Sequence, residues 1–343
     1  MSVSARPTGA SYRPPSRRAA GRPPRRSPSR RPRRPLLPLL ILAVTLLLVV
    51  LLLVRHAHQP SPPVPVTAVN TVAGRNSVAI QTTTIAATTS SAAGMPALNA
   101  TIARLTKPLQ GTYGVWVDDL PTGATTGQHA EQQFVAASVI KFCILAALYE
   151  ESAEGKVSLS EQLTTTTADI QNYGTGSIRY DPVGTSYTLA DLAQRAAKQS
   201  DNTAAYLIKQ RLGEDYIQQR TAAWGLTDTS IAQDRTTPRD IGTLFADIAQ
   251  RRLLPAPSAL ALLGLLTDTD FEDRLPALLP PYALVSHKIG TEANGVMNDA
   301  GLVVLPTRSY VVVVMTAGAD PDQAITAEQQ LSQAAFQYEA TLP

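Results

Sequence analysis

Ser138 and Lys141 stand three positions apart in "ASVIKF", residues 137–142, where an apolar stretch that reads as a helix begins. On a helix, positions i and i+3 share one face about a turn apart, so a hydroxyl and an amine placed there can meet. A serine becomes a nucleophile when a neighbouring base takes its proton. A lysine can be that base if burial or a second cation lowers its pKa. The helix N-terminus adds backbone N–H groups and a positive dipole end where an oxyanion would develop. Taken alone, S-x-x-K is more often an ordinary helix edge with a snorkelling lysine.

Two further stretches change that balance. "SDNTAAY", residues 200–206, supplies Ser200 and Asn202, a hydroxyl and an amide suited to relaying a proton and holding a substrate amide. By itself it reads equally as a helix N-cap formed by Asp201 and Asn202. "HKIGTEANG", residues 287–295, places Lys288 at the end of an apolar strand and Gly290 where a ligand could approach the backbone. Its plainer reading is a charged strand end before a turn. S-x-x-K, S-D-N and K-x-G in this order form the set carried by penicillin-recognising serine enzymes. With "YGTGSI", "TLADLAQRAAKQSDNTAA", "TTPRD" and "NDAGLVVLP", residues 96–343 resemble the class A β-lactamases and the penicillin-binding proteins related to them.

The resemblance implies an α/β (α+β) fold, a five-stranded antiparallel sheet flanked by helices plus an all-helical lobe, with the site between them. It implies that Ser138 is acylated and Lys141 is its base partner. Ser200 and Asn202 would line the opposite wall, and Lys288 would attract a substrate carboxylate and keep Lys141 neutral by repulsion. The backbone N–H groups of Ser138 and Thr291 would form the oxyanion hole beside Gly290. The expected activity is hydrolysis of β-lactams or related amides through an acyl-enzyme, the chemistry of antibiotic resistance.

Two departures qualify that expectation. The interval between S-D-N and "TTPRD" lacks the E-x-x-L-N stretch whose glutamate activates the deacylating water in class A enzymes. Its acids are Glu214, Asp215, Asp228 and Asp234. Glu214 and Asp215 follow "RLG" as at a helix-to-helix turn, and Asp234, nearest "TTPRD", is the least implausible substitute. Ile289 stands where the family has Thr or Ser, removing a hydroxyl contact to a substrate carboxylate worth about 1–3 kcal/mol, which Thr291 could replace in part. The alternatives are therefore a penicillin-binding, D-Ala peptidase-like or esterase-like hydrolase without efficient deacylation, and a catalytically silent wall-binding domain.

The elements that must position these residues follow from periodicity. Helices are expected near 97–108, from Ser138 onward, over 189–211, 239–251 and 258–266, and over 322–338. "GTYGVWVDDLPTGATTGQ" reads as a hairpin, and "YALVSHKIG", "NDAGLVVLP" and "SYVVVVMTAG" as three strands. Strands at both ends of the domain suggest one shared antiparallel sheet.

The chain before the domain is of another kind. Residues 1–35 hold eleven arginines and no acid, a composition that predicts a disordered cytoplasmic tail. Anionic lipid or nucleic acid could attract it, but a topology signal is the simpler reading. Residues 36–54 carry no charge and as a helix would span roughly 28 Å, a single-pass membrane anchor preferred over a cleaved signal peptide. The positive-inside rule then places the catalytic domain outside the cytoplasm. Residues 55–95, rich in Pro, Thr and Ser, read as a linker.

From Arg55 onward, 19 Lys and Arg face 27 Asp and Glu, so the body is mildly acidic and no nucleic-acid partner is expected. The single Cys143 excludes an internal disulfide and reads as a small core residue. The four histidines are scattered, His287 reads as structural, and no metal or organic cofactor is implied. The expected partners are a small-molecule substrate, a β-lactam or a peptidoglycan-like peptide, and the membrane. The catalytic domain is expected to be monomeric.

Overall fold

A computed structural model of the protein describes residues 95–342. The arginine-rich tail, the apolar run 36–54 and the linker up to residue 94 lie outside the described residues. Met95, assigned to the linker, is instead buried in the core at 1 % exposure.

Five strands form one antiparallel sheet, in the order β2-β1-β9-β8-β7. They are β1 (Thr112–Asp119), β2 (Ala124–Gln128), β7 (Leu284–Glu292), β8 (Val296–Val304) and β9 (Ser309–Ala317). The central strand β9 is apolar on both faces, as a strand covered on both sides must be. Val311, Val313 and Met315 point into the core under the helical lobe, and Tyr310, Val312 and Val314 into the core on the other side. Period-two alternation thus serves two cores at once. The second core is closed by the first and last helices, α1 (Pro96–Thr106) and α8 (Pro321–Glu339).

Within the lobe, α2 (Lys141–Ala153) is buried from Lys141 to Glu150, the mark of a helix surrounded on all sides. Around it stand α3 (Leu189–Lys198), α4 (Asn202–Leu212), α5 (Glu214–Ala223), α6 (Pro238–Ala249) and α7 (Ala256–Leu265). Phe142 of α2 stacks on Phe245 of α6 at 4.0 Å between ring centroids. Two ribbons, β3 (Phe134–Val135) with β6 (Arg235–Thr236) and β4 (Gln162–Thr164) with β5 (Ser186–Thr188), complete the fold, so the lobe is not purely helical.

The structure departs from the sequence reading over 189–211 and at Lys288. The helix expected over 189–211 is two helices, because Ser200 adopts a left-handed φ of 53° and Asp201 then caps α4, accepting from Ala204 N at 2.9 Å. Glu214 and Asp215 do follow a turn, at Gly213 with φ 91°, and open α5, where their charges suit the helix dipole. Lys288 lies in the middle of β7 and not at its end, since the strand continues through Gly290 and Thr291 to Glu292.

Candidate active site

Ser138 sits in a 3-10 turn, Ala137–Ile140, that leads into α2. Four hydrogen bonds hold the chain just before it. Asn298 Nδ2 donates to Val135 O at 2.9 Å and Ala136 O at 3.1 Å, while Ala136 N donates to Asp234 O at 2.9 Å and Ala137 N to Asp234 Oδ2 at 3.1 Å. Clamped this way, Ala137 takes a left-handed φ of 48°, a strained conformation that persists only where its surroundings over-determine it.

Lys141 begins α2 and is 6 % exposed. Its Nζ donates to Ser200 O, to Asn202 Oδ1 at 2.7 Å and to Ser200 Oγ at 3.2 Å. The Ser138 hydroxyl is not among these partners. Burial pushes the Lys141 pKa down to about 7, against the pull of Asp201 and Asp234. Lys288 Nζ reaches the same Ser200 Oγ at 3.0 Å and Ile289 O at 2.9 Å. Burial, and then the charge of Lys141, hold Lys288 well below the usual lysine range.

"YGTGSI" builds the wall behind Ser200 and Asn202. Tyr173 O accepts from Asn202 Nδ2 at 2.9 Å, Thr175 Oγ1 donates to Ser200 O at 2.8 Å, and Ile178 N donates to Asp201 Oδ2 at 2.9 Å. Gly176 is required here, because it has φ 111° and any Cβ would stand 2.2 Å from Asp201 Cγ.

Across the cleft, β7 is an edge strand. His287 N points off that edge to Leu266 O at 2.9 Å, so Ile289 and Thr291, two and four residues on, turn their N–H groups the same way. Gly290 lets this edge approach the Ser138 turn: a Cβ there would lie 2.7 Å from Ala136 O and 3.1 Å from Ser138 N. The Ser138 N–H belongs to a first turn whose donors have no intrahelical acceptor. The Ser138 N–H and the edge N–H of Thr291 thus belong to the two segments that meet here. His287 faces away from Lys288, with Nδ1 at 2.9 Å from Asp299; burial pulls its pKa down, but Asp299 and Glu272 together hold it up at about 9.

These walls enclose a cleft of about 720 Å³ whose lining includes Ser138, Lys141, Ser200, Asn202, Ile289 and Thr291. Lys288, 1 % exposed, and Gly290 stand behind this lining, Lys288 joined to it through Ser200 Oγ and Gly290 packed against the Ser138 turn. Among the described residues, no group of three or more His, Cys, Asp or Glu side chains could hold a metal ion.

The profile of the Beta-lactamase enzyme family matches residues 97–339. The chain belongs to that family. It is 29 % identical over 228 residues to a β-lactamase of Streptomyces lavendulae, covering 61 % of this chain and 75 % of that protein. It is 29 % identical over 240 residues to β-lactamase CTX-M-8 of Citrobacter amalonaticus, covering 65 % and 81 %. Among solved structures, a PBP-A variant captured as an acyl-enzyme complex with penicillin G superposes with TM-score 0.69 and 31 % identity, over 73 % of this chain and 99 % of that one. An ancestral class A β-lactamase superposes with TM-score 0.66 and 25 % identity, over 70 % and 99 %. The domain is a class A β-lactamase-type serine hydrolase of α+β, β-lactamase/transpeptidase-like fold.

Against that family, the cleft contains groups the motifs did not single out. Arg274, 5 % exposed, donates to Thr291 Oγ1 at 2.5 Å, to Asn298 O at 2.9 Å and to Gly290 O at 3.4 Å, bracing the edge strand and lining the cleft beside Ile289. Asn298, fully buried, ties the Ser138 turn to the sheet. Its only sequence signal is a polar pair, Asn298 and Asp299, inside an apolar strand. Asp234 lines the cleft from β6's leading edge. Cys143 is buried as expected, its thiol pushed up to about 12 by burial.

Proposed function

We propose that Ser138 is the acylated nucleophile and that Lys141, Ser200 and Lys288 move its proton to the leaving group. The observation that carries this reading is the Ser200 hydroxyl, bonded by two buried lysines in the cleft that Ser138 lines. With both lysines donating, Ser200 has its own proton free to give away.

A neutral Lys141 takes the Ser138 proton as Oγ forms a bond to the substrate carbonyl carbon. The Ser138 and Thr291 N–H groups receive the oxyanion. Ser200 then passes its proton to the amide nitrogen as the C–N bond breaks, and recovers one from the lysines. A substrate carboxylate near Lys288 and Arg274 raises the Lys288 pKa and so helps keep Lys141 neutral. Asn202 holds the acyl-side amide.

Residues 36–54 serve as a single-pass anchor with the arginine-rich tail inside and the catalytic domain outside the cytoplasm. That reading is supported by the uncharged run and the eleven arginines before it. Among the described residues no helix is long and apolar enough to cross a membrane, and residues 36–54 are not among them.

Intact-mass analysis of the full chain in detergent, mixed with penicillin G, tests the assignment. Wild type gains one penicilloyl group and Ser138→Ala gains none while keeping its circular dichroism. Labelling that survives Ser138→Ala would refute the assignment. The second reading, an acylating protein whose adduct persists, draws on the missing E-x-x-L-N stretch and predicts an adduct stable for hours.

A further inference from the structure

We propose that Asp234 activates the water that releases the acyl-enzyme, doing in this chain what a glutamate on a longer loop does in class A enzymes. The inference rests on the Ser138 reading above.

Three carboxylates line the cleft: Asp234, Asp273 and Glu292. Asp273 and Glu292 are exposed, whereas Asp234 is partly withdrawn from solvent. Buried Asp201 is committed elsewhere, accepting from Ala204 N and Ile178 N at 2.9 Å each. Asp234 stands next to the reacting residue, because its carboxylate accepts from the N–H of Ala137, one residue before Ser138, at 3.1 Å. Its other oxygen, Oδ1, is buried and accepts no hydrogen bond from the protein. The backbone that places it is left-handed, φ 50°, and is fixed by the Ala136 N to Asp234 O bond and the β3–β6 pairing. A left-handed residue with an unpartnered buried oxygen is a poor structural device. Oδ1 is closed to solvent, so a cleft water meets the carboxylate on the exposed side of half-buried Asp234 or after its side chain turns.

The charges around it agree. Glu292 from β7, Arg235 from β6 and Lys141 from α2 are the titratable groups that act on Asp234. Burial, and then Glu292, push its pKa up to about 6, against the Ala137 N–H, Arg235 and Lys141. A base of that pKa is ionised at neutral pH yet basic enough to take a proton from water in the transition state. In the step, a water O–H gives its proton to the Asp234 carboxylate as the water oxygen bonds to the acyl carbon. The ester bond to Ser138 Oγ then breaks as the proton held by Asp234 passes to Oγ through neutral Lys141, which regains its starting state, and the product leaves as a carboxylic acid.

Asp234→Asn separates this role from that of a strut, since the amide oxygen can still accept from Ala137 N but cannot take a proton. The full chain and the variant are mixed with penicillin G from pH 5 to 8, and adduct formation and clearance are followed by intact mass. Expected are acylation within about threefold of wild type, clearance slowed by about 100-fold or more, and a wild-type clearance rate that falls tenfold per pH unit below about 6 while the variant shows no such limb. Acylation of the variant itself reports that it folds; if it does not fold, the wild-type pH profile decides alone. Variant clearance within fivefold of wild type, a flat wild-type profile, or a wild-type adduct that lasts for hours would each overturn the proposal. Absence of any wild-type adduct would instead sink the Ser138 reading, and this inference with it.

Discussion

Lys141 and Lys288 donate to one oxygen, Ser200 Oγ, at 3.2 and 3.0 Å. Two ammonium groups on one hydroxyl in a buried site repel each other, so the charge of one disfavours the charge of the other. Acylation needs the neutral form of Lys141, whose pKa is about 7. The acylation rate constant should therefore rise through pH 7 and level off about one to two units above it. Stopped-flow labelling with a fluorescent penicillin at pH 5.5–9 measures this, and a rate independent of pH would remove Lys141 from the base role.

The same pKa has a stability consequence. Because the folded value, about 7, lies below the usual 10.5, the unfolded chain binds a proton that the native chain lacks between those values. Stability from this group therefore grows as pH rises from 7 toward 10, by up to about 5 kcal/mol. Lys141→Met should flatten that rise and be stabilised relative to wild type most at or below pH 7. Urea melts across pH 6–10 would show it; parallel curves for the two proteins would count against a depressed lysine.

Gly290→Ala tests the closeness of the strand edge to the nucleophile. The added methyl meets Ala136 O at 2.7 Å and Ser138 N at 3.1 Å, both backbone atoms that cannot swing aside. Acylation should fall about 100-fold through a spread oxyanion site. A variant that acylates within threefold of wild type would mean that the two N–H groups are not used together.

Ile289→Thr restores a hydroxyl at a cleft position beside Lys288. Ile289 is 5 % exposed, so the unpaired hydroxyl should cost about 1–2 kcal/mol of stability in the free protein. Acylation by penicillin G, which carries a carboxylate, should rise about tenfold, a hydrogen bond to a charged group being worth about 1.5 kcal/mol or more. A neutral ester substrate should gain nothing. Equal changes for both substrates would show that no carboxylate is read there.

Much of the site was legible because its parts are local. Each motif is a few residues long, and their order along the chain carried the inference that none carried alone. The sheet was legible where alternation is strict, as along Tyr310 to Met315, whose side chains divide between two cores. What escaped depends on distant partners. Asn298 reaches Val135 across 163 residues, and Arg274 reads as an ordinary loop cation until β7 and β8 bring Thr291 and Asn298 to it. The break at Ser200 was half legible: Asp201 reads as an N-cap and is one, but apolar spacing continues on both sides of Ser200, so periodicity alone runs the two helices together.

Ala137, Ser200 and Asp234 are three of the seven described non-glycine residues with positive φ, and all three border the one cleft. Left-handed backbone costs on the order of 1–3 kcal/mol at each such residue, and glycine there would relieve it. A lineage released from selection for acylation would gain stability at these positions first. Glycine accumulating at 137, 200 and 234 while both cores stay intact would then mark descendants that kept the fold and abandoned the reaction.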